Sequence, residues 1–331
     1  MANPVLVELT RSDRVESEHR GAIAVCDANG GLKLVVGDVE APVYPRSSLK
    51  PIQAIPLIET GAAAMFGLGS EEIALACASH SGEPQHTAKI AAWQTKIGCS
   101  VADLACGAHK PIHEATASEM IVRGEKWTPL HNNCSGKHTG FMSVARALGA
   151  AVAHYEMPEH PVQCRVEETL SELAGVPRPL PYGIDGCTVP NFVVPLRALA
   201  RAMAQIADPR YLAPARAEAC RQIFAAMTRH PELVAGTGRP CTLLMRQNSA
   251  LAVKTGAEGV FVAILPALGL GVALKIDDGA GRAAETAIAG LLIRLGALSD
   301  EGAAQKLAEA AVLDTRGRNA GRRRFKLNPT G

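Results

Sequence analysis

Strand-forming patterns stand at the two ends of this chain, and a helical period fills the residues between them. Six segments are rich in β-branched and other apolar residues: 4–10, 21–26, 32–36, 250–254, 259–265 and 271–276. Asn29-Gly30, between the second and third of them, is typical of a tight hairpin turn. Strands drawn from both chain ends predict one antiparallel sheet that the two ends assemble together.

Helical periodicity dominates the middle of the chain. Apolar residues recur at every third or fourth position in eight segments: 51–60, 71–76, 87–97, 139–148, 162–174, 196–207, 214–228 and 282–295. We therefore expect the mixed α/β class, of the α+β kind, with an antiparallel sheet flanked by helices and a mostly helical lobe. The 331 residues show neither an internal repeat nor a linker-like stretch. They predict a single domain over residues 1–331, with a sheet-rich part at 1–50 and 240–331 and a mostly helical part at 51–239.

Composition excludes several classes of protein. Lys and Arg total 34 against 32 Asp and Glu, which leaves no broad basic face for nucleic acid. The chain has no run of about 18 apolar residues and no pattern of a secretory signal, so we expect no membrane segment and a cytoplasmic protein. The nine cysteines are an odd number, widely spaced and without a Cys-x-x-Cys pair, which indicates reduced and mostly buried thiols.

A basic stretch stands near the end of the chain. Residues 316–326 contain six arginines and lysines. Such a stretch could bind nucleic acid or a membrane surface. We expect instead a solvated strand edge that its charges protect from pairing with other chains.

Residues 44–51 contain a candidate nucleophile and a candidate base. If a helix begins near Ser47, then Ser47 and Lys50 stand one turn apart on the same face, within hydrogen-bond reach of each other. A serine hydroxyl needs a neighbour that takes its proton, and a lysine whose pKa is lowered by burial can do so. Ser-x-x-Lys alone is equally the pattern of a helix cap followed by an exposed lysine.

Two further segments favour the catalytic interpretation. Ser79, within Cys-Ala-Ser-His-Ser, follows an apolar helix, and Lys254-Thr255-Gly256 ends a strand at a hairpin. In this order, Ser-x-x-Lys, Ser-x-Ser and Lys-Thr-Gly resemble the motifs of serine β-lactamases and penicillin-binding enzymes. In such sites the lysine at the sheet edge abuts the second serine, which predicts a couple of Ser79 with Lys254. Taken singly, Ser79 would be a polar residue at a helix end and Lys254 a solvated turn residue.

Five motifs in order extend the resemblance over almost the whole chain. They are Arg-Ser-x-x-Lys-Pro from Arg46, Cys-Ala-Ser-His-Ser from Cys77, Asn-Cys-Ser-Gly-Lys-His from Asn133, Asp-Gly-Cys from Asp185 and Arg-x-Cys-Thr from Arg239. The chain resembles the asparaginase II family, the rhizobial-type or class 3 L-asparaginases, from about residue 5 to about residue 326. The resemblance implies a fold related to serine β-lactamases and glutaminases. It also implies hydrolysis of L-asparagine to L-aspartate and ammonia.

The resemblance assigns a role to particular residues. It makes Ser47 with Lys50, and Ser79 with Lys254, the two catalytic couples. In the expected mechanism Ser47, deprotonated by Lys50, attacks the side-chain amide carbon, and backbone N–H groups stabilise the oxyanion. The leaving ammonia takes a proton through Ser79 and Lys254, and water then releases aspartate. The reverse assignment of the two serines stays open.

The resemblance also implies a zinc site. Cys134, Lys137 and Cys187 match the family's zinc-binding positions, which would leave a fourth coordination position for water. Without the resemblance, the two cysteines would be ordinary buried thiols. A lysine ligand must be unprotonated, so the affinity for zinc is expected to fall as the pH drops. Since the serine couples already supply a nucleophile and a base, zinc is expected to organise the pocket rather than to generate hydroxide.

The substrate site and the alternatives complete the prediction. Arg46, His138 and Asp185 lie close to the motifs and are candidates for binding the zwitterionic substrate, although each could instead be structural. The expected partner is the small molecule L-asparagine, and the family implies a homodimer. A glutaminase, a β-lactamase or a peptidase on the same fold is the nearest alternative. A zinc-dependent amino-acid sensor without catalysis is the alternative from another class.

Overall fold

The computed structural model describes residues 2–327. Its strands are β1 (Val5–Arg11), β2 (Arg14–Asp27), β3 (Leu32–Val36), β4 (Pro42–Val43), β5 (Tyr182–Ile184), β6 (Pro190–Phe192), β7 (Val194–Pro195), β8 (Ala252–Thr255), β9 (Val260–Leu265), β10 (Leu270–Ile276), β11 (Glu309–Leu313) and β12 (Asn319–Phe325). Its α-helices are α1 (Lys50–Gln53), α2 (Ile55–Glu59), α3 (Ala62–Met65), α4 (Ser70–Ala76), α5 (Pro84–Lys96), α6 (Glu114–Val122), α7 (Ser135–Ala147), α8 (Pro161–Ala174), α9 (Leu196–Ala207), α10 (Pro214–Arg229), α11 (Pro231–Val234), α12 (Pro240–Gln247), α13 (Gly281–Arg294) and α14 (Gly302–Ala308).

The chain divides into two compact units. The sheet unit comprises residues 1–48, 194–208 and 243–331, and the helical unit comprises residues 49–193 and 209–242. Residues 194–208, which include α9, belong to the sheet unit. A single domain over the whole chain stays a prediction.

The sheet unit is built around an antiparallel sheet in the order β11-β12-β1-β2-β10-β9-β8, with β3 also paired to β2. The strands from the start of the chain thus lie between strands from its end, as predicted. All six residues of β9 are apolar and buried. Helices α9 and α13 pack on the sheet, and burial along the whole of β9 is typical of a strand covered on both faces. The predicted fold class is confirmed.

The basic stretch near the chain end is not a sheet edge, and that expectation is wrong. Strand β12 pairs with β1 on one side and with β11 on the other, so β11 is the edge strand. Arg324 and Lys326 both bind the buried carboxylate of Glu8, and Arg322 binds Glu309. The arginine-rich sequence did not predict a strand with two neighbours, because carboxylates far along the chain provide its partners.

The helical unit contains the helices that the sequence predicts between residues 51 and 239, except α9, which belongs to the sheet unit. The segment 51–60 forms two short helices rather than one, because Pro56 cannot continue the hydrogen bonding of α1. Helices α3, α6, α11, α12 and α14 were not predicted. No helix within residues 2–327 is long and apolar enough to cross a membrane. All nine cysteines are free, and seven of them are buried, as expected.

Candidate active site

Ser47 lies on a single 3₁₀ turn, Arg46–Leu49, that leads directly into α1. The predicted helical start near Ser47 is therefore confirmed. Arg46, just before it, has a φ of +54°, a left-handed conformation that is costly for a residue with a side chain. The buried hydroxyl of Ser48 donates a hydrogen bond of 2.7 Å to the carbonyl of Pro45 and closes the turn. Ser47 itself is half-buried.

Lys254 lies at the end of β8, where the predicted hairpin joins β8 to β9. Its side chain is buried, and Nζ donates a hydrogen bond of 2.9 Å to the carbonyl of Thr255. The interpretation as a solvated turn residue is therefore wrong. A Cβ atom on Gly256 would lie 2.7 Å from the oxygen of Pro45 and 3.2 Å from the nitrogen of Ser48. Glycine thus lets the hairpin end pack directly on the turn that carries Ser47.

Lys50 is a buried base candidate in the helical unit, and only 1% of it is exposed. Its Nζ atom lies 2.6 Å from the carbonyl oxygen of Ala78, 3.0 Å from Oγ of Ser79 and 3.4 Å from the carbonyl oxygen of Asn133. Nζ donates hydrogen bonds to these three oxygens, so the amine and the Ser79 hydroxyl lie within the distance that proton transfer requires.

Ser79 follows α4 in an irregular stretch, as the sequence predicts. The residue is 6% exposed, and its backbone N–H donates a hydrogen bond of 2.9 Å to the carbonyl of Val234. The next residue, His80, donates its N–H to the carbonyl of Asn133, which also accepts from Lys50. The backbone around Ser79 is therefore held from two sides, and its hydroxyl is presented to Lys50.

The three predicted zinc ligands meet in the helical unit. Cys134 is the residue before α7, Lys137 lies in its first turn, and Cys187 lies in the loop between β5 and β6. Nζ of Lys137 is 3.0 Å from Sγ of Cys187, and the two thiols are hydrogen-bonded to each other. Each of the three residues is at most 5% exposed. Both cysteines are buried, and their role as zinc ligands stays a prediction.

Charge explains how these groups share one buried space. The hydrogen bond from Cys187 holds the pKa of the Cys134 thiol well below its usual range, against the effect of burial, and the charges of Lys50 and Lys137 act in the same direction. The same hydrogen bond raises the pKa of Cys187. Burial alone would lower the pKa of Lys137, but the charges of Cys187 and Cys134 raise it. Cys134 and Lys137 therefore each favour the charged form of the other inside this buried cluster.

The donor set is suited to zinc. Thiolate and nitrogen donors are those that zinc binds in proteins, and a set of three leaves a coordination position open. Within residues 2–327, no group of three or more His, Cys, Asp or Glu is arranged to hold a metal ion. The predicted zinc ligands include only two residues of these four types, Cys134 and Cys187, because the third ligand is Lys137.

His138 and Asp185, two of the predicted substrate-binding residues, lie beside Lys137. The charge of Asp185 raises the pKa of Lys137, whereas burial first, and then the charge of Lys137, hold the pKa of His138 well below its ordinary value. Tyr155 accepts the N–H of Ala105, and its hydroxyl oxygen lies 2.6 Å from Nδ1 of His138. Nε2 of His138 is buried and has no hydrogen-bond partner among the described residues. Arg46, the third candidate, belongs to the sheet unit.

Sequence reasoning missed two residues of this site. Asn133 supplies a carbonyl to Lys50 and places its side-chain amide 3.0 Å from Sγ of Cys134. Its position inside the motif Asn-Cys-Ser-Gly-Lys-His was a signal that could have identified it. Tyr155, which orients His138, stands in no motif, so the sequence holds no signal for it.

Comparisons with known proteins identify the family of this chain. It belongs to the asparaginase II family, described as L-asparaginase II, whose model matches residues 7–325. The resemblance carried by the five motifs is therefore confirmed. None of the curated proteins compared with the chain matches it.

Similar solved structures include the native form of Mglu, with 14% identity, a TM-score of 0.48 and coverage of 84% of this chain and 64% of that chain. A β-lactamase from Mycobacterium bovis matches with 14% identity, a TM-score of 0.42 and coverage of 83% of this chain and 94% of that chain. The chain thus spans less than two thirds of the Mglu chain. Likeness at these scores is distant and carries no information about the reaction.

Proposed function

We propose that the protein is an L-asparaginase that hydrolyses L-asparagine to L-aspartate and ammonia through a serine acyl-enzyme. The observation that carries the proposal is the buried contact of 3.0 Å between Nζ of Lys50 and Oγ of Ser79. A buried lysine beside a serine hydroxyl can transfer a proton directly, without a water molecule as carrier. Amide hydrolysis through an acyl-enzyme requires two such proton transfers. Membership of the asparaginase II family is the reason for proposing the side-chain amide of asparagine as the bond that is hydrolysed.

The proposed reaction has two halves. Lys50 removes the proton of Ser47, and Oγ forms a bond to the side-chain amide carbon while backbone N–H groups stabilise the oxyanion. The C–N bond then breaks, and nitrogen leaves as ammonia with a proton delivered through Ser79 and Lys254. Water next adds to the ester, and aspartate leaves as Ser47 regains its proton. The net change is the addition of one water to asparagine.

The reverse assignment of the two serines also has an observation in its favour. Nζ of Lys50 lies 3.0 Å from Oγ of Ser79, within reach of its proton. Ser79 would then attack, and Ser47 would relay the proton. Mass spectrometry of a trapped acyl-enzyme locates the ester on one serine or the other.

We propose that Arg46, His138 and Asp185 bind the substrate. Nε2 of His138 is buried and has no hydrogen-bond partner among the described residues, so it can bind a polar group of the substrate. The Asp185 carboxylate and the Arg46 guanidinium match the two charges of a zwitterion. Cys134, Lys137 and Cys187 would hold one zinc ion. When bound, the ion supplies a fixed positive charge that polarises an oxygen and orders the pocket.

The test measures the ammonia that the purified protein releases from L-asparagine and from L-glutamine. Cleavage of nitrocefin tests for a β-lactamase. We expect turnover of asparagine and its loss in Ser47→Ala and in Ser79→Ala. Ser249→Ala, an exposed serine in a turn, is the matched control and should retain activity. Tight binding of an amino acid without ammonia release would contradict the proposal and favour the sensor. A homodimer is proposed from the family alone, and analytical ultracentrifugation tests it.

A further inference from the structure

Two loops of the helical unit lie side by side next to Ser79. The serine loop, residues 77–83, joins α4 to α5, and the flanking loop, residues 234–237, follows α11. The N–H of Ser79 donates to the carbonyl of Val234 at 2.9 Å, and the hydroxyl of Ser81 donates to the carbonyl of Ala235 at 2.8 Å. The flanking loop is therefore the support on which the backbone of Ser79 is fixed.

Gly236 shows how closely the two loops approach. A Cβ atom at this position would lie 2.0 Å from Oγ of Ser81 and 2.7 Å from Oε1 of Glu83. Its φ of +120° is also a conformation that residues with side chains rarely adopt. No space separates the loops, so a shift of the flanking loop is passed on to the serine loop.

Glu83 joins the two loops through its carboxylate. Oε1 accepts the N–H of Thr237 at 2.8 Å, and Oε2 accepts the Thr237 hydroxyl at 2.8 Å and the side-chain amide of Gln85 at 2.9 Å. Glu83 is 6% exposed. Burial alone would raise the pKa of this carboxyl group, but the hydrogen bonds from Thr237 and Gln85 lower it. The charge lies at the N-terminus of α5, where the helix dipole favours an anion.

We propose that Glu83 is a positioning residue that holds the flanking loop against the serine loop and thereby fixes Ser79 relative to Lys50. The peptide that joins Ala78 to Ser79 is linked on both sides, because its carbonyl accepts from Lys50 and its N–H donates to Val234 in the flanking loop. The carbonyl of Asn133, which lies outside both loops, holds Lys50 independently of the flanking loop. A displacement of about 1 Å between reacting groups can slow a reaction by about 100-fold. This inference rests on the proposed function, because it assigns Ser79 a part in the reaction.

The kinetic test uses Glu83→Gln, Thr237→Val and the double variant. In each single variant we expect kcat to fall about 10- to 100-fold with KM within about threefold, because the substrate still binds but the serine is misplaced. The double variant should be no slower than the slower single variant, since both remove the same link. Thr237→Ser keeps the hydroxyl and should restore most of kcat.

Glu8→Gln is the matched control, because it removes another buried carboxylate, in the sheet unit, and lowers stability without touching the site. Its kcat should equal that of the unaltered protein. The proposal is overturned if Glu83→Gln and Thr237→Val retain kcat, or if they lose it only in proportion to the fraction of unfolded protein.

Hydrogen exchange separates failure of this proposal from failure of the proposed function. In Glu83→Gln, exchange of the Ser79 amide should accelerate at least about tenfold, because its bond to Val234 is weakened, while exchange in β9 stays slow. This readout does not need turnover. If the unaltered protein releases no ammonia but the Ser79 amide loses protection, the proposed function fails and the link between the loops stands. Unchanged protection at Ser79 overturns the link whatever the activity.

Discussion

The side-chain nitrogen of Lys50 lies 3.0 Å from the hydroxyl oxygen of Ser79, although 29 residues separate them along the chain. The motif Ser-x-x-Lys relates Lys50 to Ser47 by sequence, and the fold adds Ser79. In the proposed reaction, Lys50 therefore belongs to a proton path that includes the second serine. Such a path needs an amine that is both buried and oriented, and the carbonyls of Ala78 and Asn133 orient this one.

Replacing Lys50 with methionine, which keeps the length of the side chain, should reduce kcat/KM by about 100- to 10,000-fold, the usual effect of losing a general base. Combining Lys50→Met with Ser79→Ala should cost little more than the larger single loss, because the two groups act together. Steady-state kinetics with asparagine measures both effects. Lys89→Met, at a half-exposed position on α5, is the control. Activity within tenfold of the unaltered protein would argue against Lys50 as the base.

Gly256→Ala should displace the turn that carries Ser47. The new methyl group would meet the backbone of Pro45 and Ser48, which can make room only by moving the turn. We expect kcat to fall about 10- to 100-fold and stability to fall by about 1–3 kcal/mol. Kinetics and urea denaturation measure these changes. Gly281→Ala, where the structure leaves open space at the start of α13, should change neither quantity by much, and an equally active Gly256→Ala would show that the close approach is not needed.

Zinc binding should depend on Cys187. We expect the unaltered protein to retain one zinc per chain after dialysis, and Cys187→Ser or Lys137→Met to retain far less, because each loses one of three donors. Elemental analysis measures the content, and a chelator should lower the denaturation midpoint of the unaltered protein only. Cys164→Ser removes a half-buried thiol outside the cluster and is the control. Equal zinc content in all four proteins would refute the assignment.

Stability should fall as the pH drops below about 6.5 because of His80 and His86. Burial is the main cause that lowers the pKa of both imidazoles, so each stays neutral in the fold but takes up a proton when the chain unfolds. The unfolded state then binds more protons, and each histidine removes up to about 1.4 kcal/mol per pH unit below its unfolded pKa. Urea denaturation at pH 7, 6 and 5 measures this slope. His86→Gln should reduce the slope, and the exposed His154→Gln should not.

Glu8→Gln should destabilise the sheet unit at neutral pH. Hydrogen bonds from Lys326 are the main cause that lowers the pKa of the buried Glu8 carboxyl group, and Arg324 adds to them. Its contribution is therefore complete above about pH 4.5 and is lost as the pH falls through the lowered value. We expect a loss of about 1–3 kcal/mol at pH 7 that disappears in acid. Glu309→Gln, whose partner Arg322 is half-exposed, should cost less than about 1 kcal/mol, and equal losses would contradict the role given to burial.

Much of the fold was predictable from local pattern. Alternating and continuous apolar runs identified six strands, and the helical period identified α5, α8 and α9 nearly to their ends. Strand β12 could not be assigned its place in the sheet, because its arginines form ion pairs with Glu8, more than 300 residues away in sequence, and its outer neighbour β11 was not recognised.

The candidate site was predictable only in part. The motifs named the residues that carry reactive groups, since hydroxyls, amines and thiols are visible in any sequence. They did not name Tyr155, Glu83 or Thr237, which act by holding other groups. A hydrogen bond between an ordinary threonine and an ordinary glutamate leaves no pattern along the chain.

The amino-acid sequence by itself determined the kinds of secondary structure, the family and the inventory of reactive side chains, because these depend on residue type and spacing. Only the tertiary structure decided that Lys50 contacts Ser79, that Lys137 contacts Cys187, and that Glu83 joins two loops. These relationships depend on distances of about 3 Å between residues far apart in the chain. Burial then sets their charges, since the cost of an isolated ion away from water exists only once the chain has folded.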